Sequence, residues 1–238
     1  MKILAIHTSS PICSVCLLEN NNVIQELHIS DEKTHSQKLM PLIDKLLFQN
    51  SLELNNIDLF VCDIGPGSFT GVRIGVSTIK AFVDVTNKPV IGISSLEGLA
   101  YNTFSAKNFE NIEYVCSLID AKNDNVYFGL FKKTNENTFE ILENLDCQNI
   151  NEVITLLQNK YLGKRIYFIG DGATSHRYNL LENLSKPEFI DEILNHQSSS
   201  SIGKAGYFNY INNPTHSFEI HPLYLRKSQA ERALNGEK

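Results

Sequence analysis

The stretch DIGPGSFTGVRIG, Asp63 to Gly75, holds four glycines, one proline and one arginine. It follows the apolar run IDLFVC, which reads as a strand, and leads into VRIGVSTIKAFVDV, which reads as a helix. Gly65, Gly67, Gly71 and Gly75 let the backbone take positive φ and approach a neighbour closely. Amides at the start of the following helix, with its dipole, favour an anion. The spacing is not a P-loop, because no Lys-Ser/Thr pair closes it. Nor is it G-x-G-x-x-G, because Thr70 stands where the third glycine belongs. Arg73 lies in the first helical turns, where a cation opposes the dipole unless it pairs with an anion or a partner carboxylate. Spacing alone leaves two readings open, a tight packing turn and an anion site.

Outward from this turn, the chain repeats one coarse order. KILAIHT, CSVCLLE and VIQELHI read as three strands, followed by a helix over His35–Gln49. That helix carries Leu39, Met40, Leu42, Ile43, Leu46 and Leu47 over an arc of roughly 160°, at about 100° per residue. A helix needs a stripe of only ~100° to sit on one core. It is therefore either wedged deeply in its own domain or shared with another subunit. Pro41 inside it forfeits one backbone hydrogen bond. After the glycine turn come the strand KPVIGIS and the helix SLEGLAYNTF, with Ser94 or Ser95 as N-cap and Glu97 placed for a capping box. A polar stretch near Ala106 marks a boundary between lobes 1–105 and 106–238. The second lobe then reads strand, strand, strand, helix, strand, glycine turn and helix, and a last helix is placed to pack back on the first lobe. This is duplication of pattern rather than of residues, and mixed sheets with crossover helices make it α/β.

The 238 residues are 42% apolar and carry 21 Lys and Arg against 27 Asp and Glu, for a formal net charge of −6. Mean hydropathy is −0.17. That balance argues against gripping nucleic acid alone, because counterion release needs clustered cations. No apolar stretch approaches the ~20 residues of a membrane helix, and MKILAIHTSS is too short an apolar run for a signal peptide, so the expected location is cytoplasmic. Cys13 and Cys16 form C-x-x-C, but no second pair completes a zinc site, and three-residue spacing on a strand sends the thiols to opposite faces. The histidines show no helical pair, which disfavours a zinc hydrolase, and no G-x-S-x-G elbow is present. Asp63, Asp120 and Asp171 end strands, where a carboxylate can hold Mg²⁺ on a phosphate or simply cap a turn.

Together ILAIHTSSPICSVCLL, HSQKLMPLID, GPGSFTGVRIG, VIGISSLEGLA, IDAKNDNVYFGLF, GDGA and PLYLR resemble the TsaB family, also called YeaZ, over nearly the whole chain. The resemblance implies a two-lobed actin-like, Hsp70-like (ribonuclease H-like) fold. It also implies an accessory, non-catalytic role in making threonylcarbamoyladenosine beside the anticodon of tRNAs reading ANN codons. The implied partners are the transferase TsaD, the ATPase TsaE and, functionally, TsaC, with tRNA met through the complex. The family reads AIDTS where this chain has His7, and Leu39 stands where TsaD has the second histidine of a metal-binding H-x-x-x-H. The resemblance thus implies no metal and no cofactor of its own, with ATP or ADP bound at most weakly or at the partner interface. An autonomous ATPase or small-molecule kinase is the alternative, and a metallopeptidase is a weaker one. Possible nucleotide or anion contacts are His7, Thr8, Gly65, Gly67, Ser68, Asp171 and Gly172. Family pairing runs through the first lobe, which assigns a partner surface to Leu39, Met40, Ile43, Leu47, Phe69, Val72, Arg73 and Val76, and implies a homodimer in isolation. Arg226, Lys227 and Arg232 are candidates to approach tRNA.

Overall fold

The computed structural model describes residues 1–30, 35–107, 109–135, 137–213 and 217–226. The chain opens with β1 (Lys2–His7), β2 (Ile12–Glu19) and β3 (Asn22–Ser30), then α1 (His35–Gln49). β4 (Leu59–Asp63) leads through the glycine turn into α2 (Phe69–Thr86), and β5 (Val90–Ile93) leads into α3 (Ser95–Asn102). β2 pairs antiparallel with β1 and β3, whereas β4 runs parallel to β1 and β5, in the order β3-β2-β1-β4-β5. β1 and β4 are buried almost throughout, as strands covered on both faces must be, and edge strand β3 is half exposed.

The second half repeats this plan with β6 (Tyr114–Asp120), β7 (Asn125–Lys133), β8 (Phe139–Asn149), α4 (Ile150–Lys160) and β9 (Ile166–Ile169). It continues with α5 (Asp171–Ser175), α6 (Arg177–Asn183), β10 (Pro187–Phe189) and α7 (Ser199–Asn212). Its sheet order, β10-β9-β6-β7-β8, is that of the first sheet with equivalent strands in equivalent places. The same strand pairs are parallel and antiparallel. Two mixed sheets of one topology with flanking helices are the expected two-lobed actin-like α/β arrangement.

The first sheet is covered on both faces. Leu39, Ile43 and Leu46 of α1 and Val72, Val76 and Ile79 of α2 pack with Leu4, Ile6 and Phe60 on one side. On the other, Ile202 and Ala205 of α7 and Tyr101 of α3 meet Ile3, Ala5 and Val61. α7 is tied down at its start, where Ser199 N–H donates to Ser14 Oγ at 3.0 Å and Ser199 Oγ to Glu26 Oε1 at 2.8 Å. α3 also turns Leu96, Leu99 and Ala100 toward Val115, Phe131 and Ile169 of the second sheet. Only Glu97 of α3 escapes full burial. Cys13 and Cys16 join opposite faces of β2, as alternation requires. Both thiols are free, and burial pushes Cys13 up to about 11 and Cys16 higher still. Such thiols are inert hydrophobes. Among the described residues no helix is long and apolar enough to cross a membrane.

Candidate functional site at the end of the first strand

β1 and β4 run parallel with Ile6 beside Cys62, so the next residues, His7 and Asp63, finish side by side. Both are fully buried. His7 Nδ1 bonds Asp63 Oδ2, and His7 Nε2 lies 2.7 Å from Ser10 Oγ. Asp63 accepts further bonds from Ser9 Oγ at 2.6 Å, Ser95 Oγ at 2.7 Å and Gly65 N–H at 2.8 Å. Burial alone would raise its carboxyl. The His7 contact and the two serine hydroxyls reverse this and hold it below its ordinary value. The carboxylate absent from position 7 therefore stands on the neighbouring strand.

That placement corrects the expectation that Asp63 can hold Mg²⁺, because its oxygens are already occupied by four protein donors. The anion contacts expected at Gly65, Gly67 and Ser68 fare likewise. Ser68 N–H donates to Ser9 O at 2.7 Å, and a Cβ on Gly67 would come within 2.2 Å of that same oxygen. Thr8 Oγ1 donates to Gly71 O at 2.7 Å, and a Cβ on Gly71 would stand 2.0 Å from Thr8 O. Ser68 Oγ caps α2 by accepting from Gly71 N–H at 3.2 Å. The two turns are pressed together backbone to backbone. This close contact supports the packing reading of the turn.

In the second lobe the equivalent residues are also engaged. Asp171 Oδ1 accepts from Asp120 N–H at 3.0 Å, and its carboxyl is raised, chiefly by burial. Gly172 packs on the backbone of Leu118 and Ile119. Asp120 caps its own turn through Lys122 N–H at 2.8 Å and pairs with Lys122 Nζ at 2.7 Å, which lowers its pKa. His35 reaches Pro11 O at 3.3 Å, and among the described residues no cluster of three His, Cys, Asp or Glu could hold a metal ion.

The expected partner surface divides sharply. Leu39, Ile43, Leu47, Val72 and Val76 are at most 7% exposed and pack inside the first lobe, so these five assignments are corrected to core. The wide arc of α1 serves its own core on all but one position. Met40, 42% exposed, faces outward, with Phe48 beyond it at 84%. Phe69 and Arg73 reach the surface at the start of α2. There the C-terminal segment crosses them. Leu223 N–H donates to Ile64 O at 2.8 Å, Tyr224 stacks on Phe69, and Arg226 bonds Ala121 O in the second lobe. Arg226 thus joins the two lobes, and Lys227 and Arg232 lie outside the described residues. Sequence reading missed Ser9, Ser10, Ser95 and Tyr224. The run HTSSP beside a strand-end histidine was the available signal for Ser9 and Ser10, and Ser95 was read only as a helix cap.

Comparison with known proteins follows this geometry. A family model described as "TsaD: tRNA N6-adenosine threonylcarbamoyltransferase" matches residues 22–234. The "tRNA threonylcarbamoyladenosine biosynthesis protein TsaB" of Haemophilus influenzae is 28% identical over 248 aligned positions, covering 100% of this chain and 99% of the relative. That of Bacillus subtilis is 29% identical over 234, covering 97% and 96%. The crystal structure of "YeaZ from Pseudomonas aeruginosa" superposes with a TM-score of 0.79 at 23% identity, covering 94% of this chain and 99% of that one. The chain belongs to the TsaD-type threonylcarbamoyltransferase family and, within it, to the TsaB (YeaZ) branch.

Proposed function

We propose that this chain is a non-catalytic subunit in the synthesis of tRNA threonylcarbamoyladenosine, and that it works by pairing with and organising a TsaD-type transferase. The observation that carries the reading is the match along essentially the whole length to proteins named for that biosynthesis. The geometry supports an accessory part. The strand-end carboxylate that could serve a metal is saturated by protein donors, and the glycine turn is closed by Thr8 and Ser9.

The face offered to the transferase is the outer edge of α1 and the start of α2, with Met40, Phe69 and Arg73 in place of the wider set the sequence suggested. Aromatic and arginine side chains make strong interface anchors. In isolation the same face pairs two copies of the chain. TsaE and TsaC complete the pathway, the adenosine modified lies beside the anticodon of tRNAs reading ANN codons, and any ATP or ADP belongs to the assembled complex.

Reconstitution tests the reading. Threonylcarbamoylation of tRNA by TsaC, TsaD and TsaE, followed by mass spectrometry of the nucleosides, should require this protein. Arg73→Glu should weaken its capture by TsaD about tenfold or more while the chain still melts cooperatively, only a few degrees lower for the lost contacts to Tyr224. Full product without the protein, or ATP hydrolysis by the protein alone at ordinary enzymatic rates, would refute it.

A further inference from the structure

Ser10, at the turn between β1 and β2, completes a hydrogen-bond relay that the role in tRNA modification does not use. The relay runs Asp63 Oδ2, His7 Nδ1, His7 Nε2, Ser10 Oγ, with the last step 2.7 Å. An ionised carboxylate can only accept, so the proton between Asp63 and His7 sits on Nδ1. In the neutral ring the other nitrogen then presents a lone pair to Ser10. The Ser10 hydroxyl has one other acceptor, Ile12 O at 3.3 Å, and the nearer imidazole takes the proton. Ile12 N–H donates back to Oγ from 3.2 Å, which favours negative charge on that oxygen. Carboxylate, imidazole and hydroxyl in this order are the groups that activate a serine nucleophile, and such a set is recognised by geometry and role rather than by fold or chain order.

The neighbouring hydroxyls sharpen the assignment. Ser9 and Ser95 are buried and bond the carboxylate itself. Ser10 is partly exposed and bonds the imidazole, so it alone combines a base with access from solvent. Asp63, held by four donors, fixes the ring that it orients.

We propose that Ser10 is an activated nucleophile that takes the acyl group of small activated carboxylic esters. Ser10 Oγ attacks the carbonyl carbon and its proton passes to His7 Nε2, with Asp63 balancing the imidazolium. The carbon–oxygen bond to the leaving alcohol or phenol then breaks, the leaving oxygen takes the proton from Nε2, and acyl-Ser10 remains. A fluorophosphonate reacts likewise, with an O–P bond formed, the P–F bond broken and fluoride and a proton released.

The full chain is treated with a fluorophosphonate probe and, separately, with p-nitrophenyl acetate. Peptide mass spectrometry locates the adducts, and nitrophenolate absorbance follows the burst. One adduct per chain on Ser10, and a burst of matching size, are expected. Ser10→Ala should abolish both, His7→Asn should slow both about a hundredfold, and Ser77→Ala, on the exposed side of α2, should change neither. If His7→Asn does not fold, the native chain is compared with the same chain in urea, which should label far more slowly. Absence of a Ser10 adduct, equal labelling in urea, or undiminished labelling of a folded His7→Asn variant overturns the assignment.

Discussion

Phe69, at the start of α2, and Tyr224, in the C-terminal segment, stack with ring centroids 4.4 Å apart and planes 4° from parallel. The Arg73 guanidinium donates from Nε to the Tyr224 hydroxyl at 2.8 Å and lies 5.6 Å and 5.7 Å from the two ring centres. The C-terminal segment is thereby clipped to the first lobe within a few residues of where Arg226 reaches the second. Tyr224→Ala should cost about 1–2 kcal/mol through lost stacking and cation–π contact. Thermal unfolding should show a fall of roughly 2–8 °C for a chain of this size. Tyr224→Phe, which keeps the stack and drops only the hydroxyl, should cost about 1 kcal/mol or less.

Gly71 lies within α2, where propensity alone favours alanine by about 1 kcal/mol. The added Cβ would stand 2.0 Å from the carbonyl oxygen of Thr8, a backbone atom that cannot swing aside. Overpacking of this kind costs about 1–3 kcal/mol or more. Gly71→Ala should therefore destabilise, with the sign opposite to that of the propensity, as urea unfolding would reveal.

Leu39 and Met40 are sequence neighbours with opposite surroundings, 1% and 42% exposed. Leu39→Asp places an unpaired carboxylate in the first-lobe core and should cost more than about 4 kcal/mol, enough to abolish the cooperative melt. Met40→Asp should stay within about 0.5–1 kcal/mol of wild type. Only the second is informative about the proposed pairing with a TsaD-type transferase.

Glu97, on α3, accepts from Asn209 of α7 at 3.1 Å, and burial pushes its carboxyl up to about 7 from 4.5. The folded chain thus holds this proton more tightly than the unfolded one. Stability falls as pH rises from about 4.5 to about 7 and the penalty is complete above that. Asp63 acts with the opposite sign. Its carboxyl lies below its ordinary 3.8 in the fold, so its contribution is present above that pH and fades as acid protonates it. Urea midpoints at pH 5 and pH 8 should differ less in Glu97→Gln than in wild type, through a gain at pH 8.

The helix bounds of α1 and the duplicated order of elements were legible because both rest on local periodicity. So was the split of Cys13 and Cys16 to opposite faces. β10, three residues long, carries too little pattern to be read. The site was legible in part. Asp63 was visible as a strand-end carboxylate, but its partnership with His7 depends on the register of two parallel strands distant in sequence, which no local pattern encodes. The arc on α1 announced surplus apolar width without saying which edge faced water. Tyr224 belongs to an irregular segment, where neither a helical nor a strand period exists to betray what a side chain touches.

α3 turns Tyr101 to the first sheet's core and Leu96, Leu99 and Ala100 to the second's. Its eight residues are common property of both halves. Neither half can lose its order without baring a side of this helix that the other half helps to keep dry. Together with α7 and the C-terminal segment, this short helix carries cooperativity across the duplication. The chain should melt in a single calorimetric transition, although its order of elements repeats like that of two independent domains.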